Sequence, residues 1–113
     1  MSEKRTPIRL KKRLSVRFGI EEANRVAFTE DLSATGMFIK SLNVCPPNTK
    51  IKIEFSPDDK NKVFLEARVM WAKKVPQNLF HLVKKSGMGV RILQFYSGEE
   101  HYRRFCDSMS APK

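Results

Sequence analysis

The sequence predicts an all-β domain: about six short antiparallel strands curled into a barrel, then one C-terminal helix. Three observations predict it. Apolar and polar residues alternate with period two through most of the chain. Clusters of turn-forming residues interrupt the alternation at short intervals. The last segment changes to helical spacing. Many short strands favour a barrel over an open sheet, because closure removes exposed edges.

The elements follow in order. Val16 and Phe18 point one way and Arg17 the other, in a strand ending at Gly19. After the connection IEEAN, residues 25–32 (RVAFTEDL) read as the second strand. A turn at Ser33–Gly36 leads into the apolar run Met37 to Lys40. Ile51, Ile53 and Phe55 alternate with Lys50, Lys52 and Glu54, the mark of a half-buried strand. SPDDKNK (56–62) is a turn by composition. Val63, Leu65, Ala67, Val69 and Trp71 then share one face of a long strand, which assigns Trp71 to the core. Lys73 to Ser86 reads as an irregular excursion, and GMGVRI (87–92) returns to strand. Ser97 and Glu100 have the spacing of a capping box. Tyr102, Phe105, Cys106 and Met109 follow at i, i+3, i+4 and i+7, a helix at about 98–109.

The 113 residues fit one domain, with enough apolar content for a modest core. Net charge is +10 and unevenly placed. Residues 1–20 hold seven basic side chains (Lys4, Arg5, Arg9, Lys11, Lys12, Arg13, Arg17) against one acid, Glu3. The reading is a basic N-terminal arm over residues 1–15 and a barrel domain over 16–113. Such an arm is either a solubilising tail or a means of meeting an anionic partner. Cys45 and Cys106 form no C-x-x-C or Cys/His cluster, so no zinc site or other metal is expected. Reduced core cysteines, the lack of an apolar leader and the lack of a membrane-length apolar run make cytoplasm the expected location.

Nothing in the sequence assembles a catalyst. His81 and His101 have no sequence neighbours that suggest a triad or ligand set. No phosphate-binding glycine loop occurs, and the glycines of GMGV suit a bend or a close backbone approach. Binding is the better class of function, without a cofactor.

Two features suit a guanine nucleotide. Arg5, Arg9, Arg13 and Arg17 recur every four residues, and Asp31, Ser33 and Gly36 form the turn DLSATG. A guanidinium donates two parallel hydrogen bonds to guanine O6 and N7 or to a phosphate, and stacks on a base. Asp31 can accept from guanine N1–H and N2–H, or hold an arginine in place. The Ser33 hydroxyl can bond a base edge or phosphate. Gly36 permits a positive φ and leaves room for a ligand. Each motif alone is ordinary: Asp-x-Ser-x-x-Gly is also a sensible turn.

The joint pattern resembles the PilZ domain family. R-x-x-x-R, then DLSATGMFI, IKIEF, ARVMWA and GMGVRI follow in that family's order along nearly the whole chain. The resemblance implies a six-stranded antiparallel barrel with a C-terminal helix, and cyclic di-GMP as ligand. It assigns the ligand to Arg5, Arg9, Asp31, Ser33 and Gly36, with Arg13 second in line. Three frames satisfy R-x-x-x-R, and Arg5/Arg9 and Arg9/Arg13 both stay open. In similar domains an aromatic near position 71 lies beside the ligand, so Trp71 is a stacking candidate as well as a core residue. The expected function is a cyclic di-GMP receptor that reorders its arm and signals to an effector protein. Two rivals stand beside it: a PilZ-like adaptor that binds no nucleotide, and a basic barrel for RNA or DNA. Exposed aromatic positions for the last are not evident in the sequence.

Overall fold

A computed structural model describes residues 10–41, 43–73 and 86–110. Among the described residues seven strands precede one helix: β1 (Leu10–Lys11), β2 (Ser15–Gly19), β3 (Arg25–Leu32), β4 (Gly36–Lys40), β5 (Lys50–Phe55), β6 (Val63–Lys73), β7 (Gly87–Ser97) and α1 (Glu99–Ser110). Six of them, in the order β3-β2-β5-β6-β7-β4, close into an antiparallel barrel through a β3–β4 pairing, and β1 pairs with the C-terminal end of β3 on the edge that β2 uses further back.

Alternation places the core. Val16, Phe18, Ile51, Ile53, Phe55, Val63, Leu65, Ala67 and Val69 are buried, and the polar residues between them face outward. Helix α1 lays Tyr102 and Cys106 on one end of this core, with Phe105 partly buried beside them. The Tyr102 ring meets Phe55 edge-on at 5.7 Å. Both cysteines are free and buried, and burial pushes the Cys106 thiol up. No helix among the described residues is long and apolar enough to cross a membrane.

The helix start differs from the capping-box reading. Ser97 is the last residue of β7, paired with Phe64. The cap is Gly98, whose carbonyl accepts the Tyr102 amide at 3.0 Å. Its φ of 81° turns the chain sharply from strand to helix, a conformation that suits glycine. The pairing of β7 with β6 therefore overrides the local cap signal. Glu99 and Glu100 sit in the first turn, where the helix dipole favours acids.

Three β-bulges in β6 and β7 and one in β3 interrupt the alternation. One makes Glu30 the extra residue of β3 between Thr29 and Asp31, opposite no residue of β4. Another does the same to Met70, between Val69 and Trp71. An extra residue reverses the direction of everything after it on that strand. Asp31 and Trp71 would both face the core under strict alternation; the two bulges turn both outward. Trp71 is consequently 49% exposed, and its assignment to the core is corrected.

Candidate functional site

The cleft that carries most of the candidate residues lies outside the barrel, over β3, β4, β7 and β6. In register, Asp31 faces Phe38, Phe38 faces Gly89, and Gly89 faces Trp71. These four make one row across four strands. Gly89 has no side chain, so the rings on either side of it reach across and stack at 5.3 Å with planes 19° apart. A Cβ at Gly89 would run into the Trp71 indole. The close-approach reading of GMGV therefore has a specific object: Gly89 is the seat of Trp71. Phe38 is nearly covered, whereas the outer side of Trp71 stays open.

The row floors a cleft of about 580 Å³, lined also by Thr35, Gly36, Met70 and Arg91. That volume is in the range of small-molecule sites. Its chemistry is a carboxylate at one end, an aromatic plane at the other, and an arginine on the rim.

The turn beside Asp31 is rigidly built. The Ser33 amide donates to the Gly36 carbonyl at 2.8 Å, and the Thr35 amide donates to Ser33 Oγ at 3.3 Å. Ser33 is 1% exposed, and its hydroxyl lies 3.4 Å from the Gly36 carbonyl. Its hydroxyl lies inside the turn and does not line the cleft, whereas the base-edge role expected of it needs an accessible hydroxyl. The helix fastens the same turn from inside: Tyr102 Oη donates to the Ser33 carbonyl at 2.5 Å. Gly36 also differs in its reason. Its φ is not positive. A Cβ there would instead collide with the Val90 carbonyl on β7. The glycine lets β4 leave the turn flush against β7.

The entry of the N-terminal segment is fixed by Thr29. Its buried hydroxyl donates to the Lys12 carbonyl at 2.6 Å and accepts the Leu14 amide at 2.9 Å. Leu10 and Lys11 pair with Leu32 and Asp31, so the chain carrying the first arginines joins the barrel beside the turn. Arg13 is thrown outward, its guanidinium 4.1 Å over the Phe28 ring. Phe28 faces Lys40, on the row next to Asp31 and Phe38, so Arg13 flanks the cleft without lining it. Arg5, Arg9 and His81 lie outside the described residues.

Of the sequence candidates, then, Asp31, Gly36 and Trp71 line one cleft, Ser33 and Arg13 border it, and Arg91 was missed. Its signal was available: Arg91 follows the GMGV glycines at an outward position of the same strand. Exposed aromatic surface, not evident from sequence, is present at Phe28, Trp71 and Tyr96. Among the described residues no cluster of three or more His, Cys, Asp or Glu could hold a metal.

Comparisons with known proteins agree with this architecture. The family model of the PilZ domain matches residues 3–108. The inhibitor of motility MotI/DgrA of Bacillus subtilis superposes with a TM-score of 0.71 at 16% identity over 95% of this chain. That match covers 51% of MotI/DgrA, so the chain spans about half its length. The PilZ domain of CeSA from a cellulose-synthesizing bacterium gives a TM-score of 0.52 at 18% identity, covering 90% of this chain and 94% of that one. No curated protein matches in sequence.

Proposed function

The chain belongs to the PilZ domain family, and from that premise we propose that it is a cyclic di-GMP receptor that passes the signal to an effector protein. PilZ domains are generally binding or adaptor modules. The observation that carries the reading is the registered row Asp31–Phe38–Gly89–Trp71 beside the DLSATG turn. It supplies an acceptor for guanine N1–H and N2–H together with a flat surface for a purine.

In this reading a guanine stacks on Trp71 and is held edge-on by Asp31. Arg9, with Arg5 or Arg13 according to the frame, supplies what the described cleft lacks on that side: donors for guanine O6 and N7 and for phosphate. Ser33 and Gly36 act by holding the turn that sets the position of Asp31. Ligand binding draws the basic arm across the barrel, because phosphate neutralises charges that otherwise repel one another. The rearranged arm is the surface an effector reads, a shift between two populations.

Calorimetric titration of cyclic di-GMP, with GTP and single-stranded RNA as controls, tests this. Saturable heat with cyclic di-GMP alone is the expected result. Arg9→Ala removes charge-assisted hydrogen bonds of about 1.5–3 kcal/mol, which weakens binding roughly 10- to 150-fold. An Arg9→Ala protein with wild-type affinity would remove the arm from the site. The absence of any binding by the wild type would leave the adaptor function without the nucleotide.

A further inference from the structure

Two residues along β7 from the Trp71 row, beyond the inward Val69–Val90 pair, the outer face of the barrel carries a second row that neither the turn nor the arm accounts for. Lys50 on β5 faces Arg68 on β6, and Arg68 faces Arg91 on β7. The row ends on β4 at Gly36, opposite Arg91. With strands about 4.8 Å apart, the three cations span about 10 Å. Like charges placed directly opposite one another on a sheet face are destabilising. Nearby carboxylates do not relieve them. Glu66 accepts from Gln94 at 2.9 Å, and Glu54 pairs with Lys62 at 3.3 Å. Among the described residues none of the three cations has a hydrogen bond or ion pair, and the Nε of Arg68 is buried without a partner. An arrangement that disfavours the free protein and leaves donors unused is suited to an anion.

The neighbouring row says which anion. Arg91 lines the same cleft as Trp71. Along β7 it lies two residues from Gly89, the seat of the indole, which is about 6.6 Å of strand. An aromatic plane and a guanidinium at that separation fit a base and its own phosphate. We infer that Arg91, Arg68 and Lys50 form a phosphodiester-binding row continuous with the cleft, with the attached base stacked on Trp71. Arg91 meets the phosphate at the cleft, the half-buried side chain of Arg68 adds its guanidinium charge beside it, and Lys50 extends the positive field across β5. The phosphodiester comes either from a cyclic dinucleotide or from a single-stranded nucleic acid crossing the barrel. The row does not depend on the cyclic di-GMP reading, because a linear strand would fill it as well.

The experiment compares wild type with Arg91→Gln, Lys50→Gln and the double variant, using two probes: cyclic di-GMP and a labelled single-stranded oligonucleotide. Lys62→Gln, which removes the same charge off the row, is the control. Arg91→Gln is expected to weaken binding of at least one probe roughly tenfold, while Lys62→Gln changes it little. Thermal unfolding at low salt is expected to stay level or rise in Arg91→Gln, since a like-charge contact is relieved. A loss confined to cyclic di-GMP assigns the row to the dinucleotide. A loss confined to the oligonucleotide, with a salt slope shallower by about 0.7 per phosphate contact removed, assigns it to a strand. Wild-type binding of the strand but not of cyclic di-GMP would keep the row and overturn the receptor reading. Unchanged affinities for both probes, equal loss in Lys62→Gln, or no binding of either probe by wild type would overturn the row.

Discussion

Trp71 is the one tryptophan of the chain, and its place depends on a residue without a side chain. The indole rests over Gly89 and against Phe38. A methyl group at position 89 would occupy the space of the indole ring. Gly89→Ala is therefore expected to lift the ring off Phe38 into solvent and shift tryptophan emission to longer wavelength, while circular dichroism stays that of a β-barrel. Because the same fluorophore lies in the cleft, a ligand stacking on it should change its emission in wild type and much less in Gly89→Ala. An unshifted emission spectrum in Gly89→Ala would mean that the indole has another resting place. Trp71→Ala tests the plane itself: loss of a base–aromatic stack should weaken purine binding by about 1–3 kcal/mol, with Trp71→Phe intermediate, read by calorimetry.

At the scale of elements, the two ends of the DLSATG turn are held by different partners. Asp31 is turned outward by the bulge at Glu30, and the Ser33 carbonyl is held from within by Tyr102 on α1. Tyr102→Phe keeps the ring among Phe55 and Phe95 but leaves a buried carbonyl without its hydroxyl donor. The expected destabilisation is about 1–3 kcal/mol, measured by urea unfolding, and ligand affinity should fall as the turn loosens. The turn between β5 and β6 gives a second element-scale prediction. Amides of Asn61 and Lys60 and the Asn61 side chain donate to the Asp58 carboxylate, holding its pKa at about 2, below the ordinary 3.8. A depressed folded pKa stabilises the turn above 3.8, and that contribution disappears as pH falls from about 4 to 2. Asp58→Ala should therefore flatten that part of an acid-unfolding curve; a curve that still falls as steeply there would remove Asp58 as its source. The six barrel strands, the inward residues of β2, β5 and most of β6, and the amphipathic helix could be read from alternation, turn composition and spacing, whereas β1 was read as part of the arm and residues 93–97 of β7 were not read as strand. The bulges could not, because an extra residue leaves no mark in composition. Trp71 was misplaced for that reason, whereas Asp31 was found by its motif despite sitting at a position that alternation turns inward. Ser97 was misread as a cap because β6–β7 pairing, a contact distant in sequence, decides where β7 ends.

For the whole molecule, charge sets one balance that both the fold and the ligand feel. The net charge of +10 opposes compaction through self-repulsion, and the cationic row on β5, β6 and β7 adds a local instance of it. The ion pairs Arg103–Glu99 and Arg104–Glu100 are exposed and weak. Added salt should then act with opposite signs on two quantities. Screening at a Debye length of about 8 Å at physiological ionic strength weakens the repulsion between surface cations, so the Tm of the free protein should rise as sodium chloride is raised from a few millimolar. The same screening weakens attraction for a phosphodiester, so the additional rise in Tm produced by a fixed excess of anionic ligand should shrink over that range. Both are read in one set of melting curves, with and without cyclic di-GMP. In Arg91→Gln the two trends should flatten together, because one cation contributes to both. A free protein whose Tm falls with salt, as it would if ion pairs rather than repulsion dominated its surface, would contradict the balance from which the cationic row was inferred.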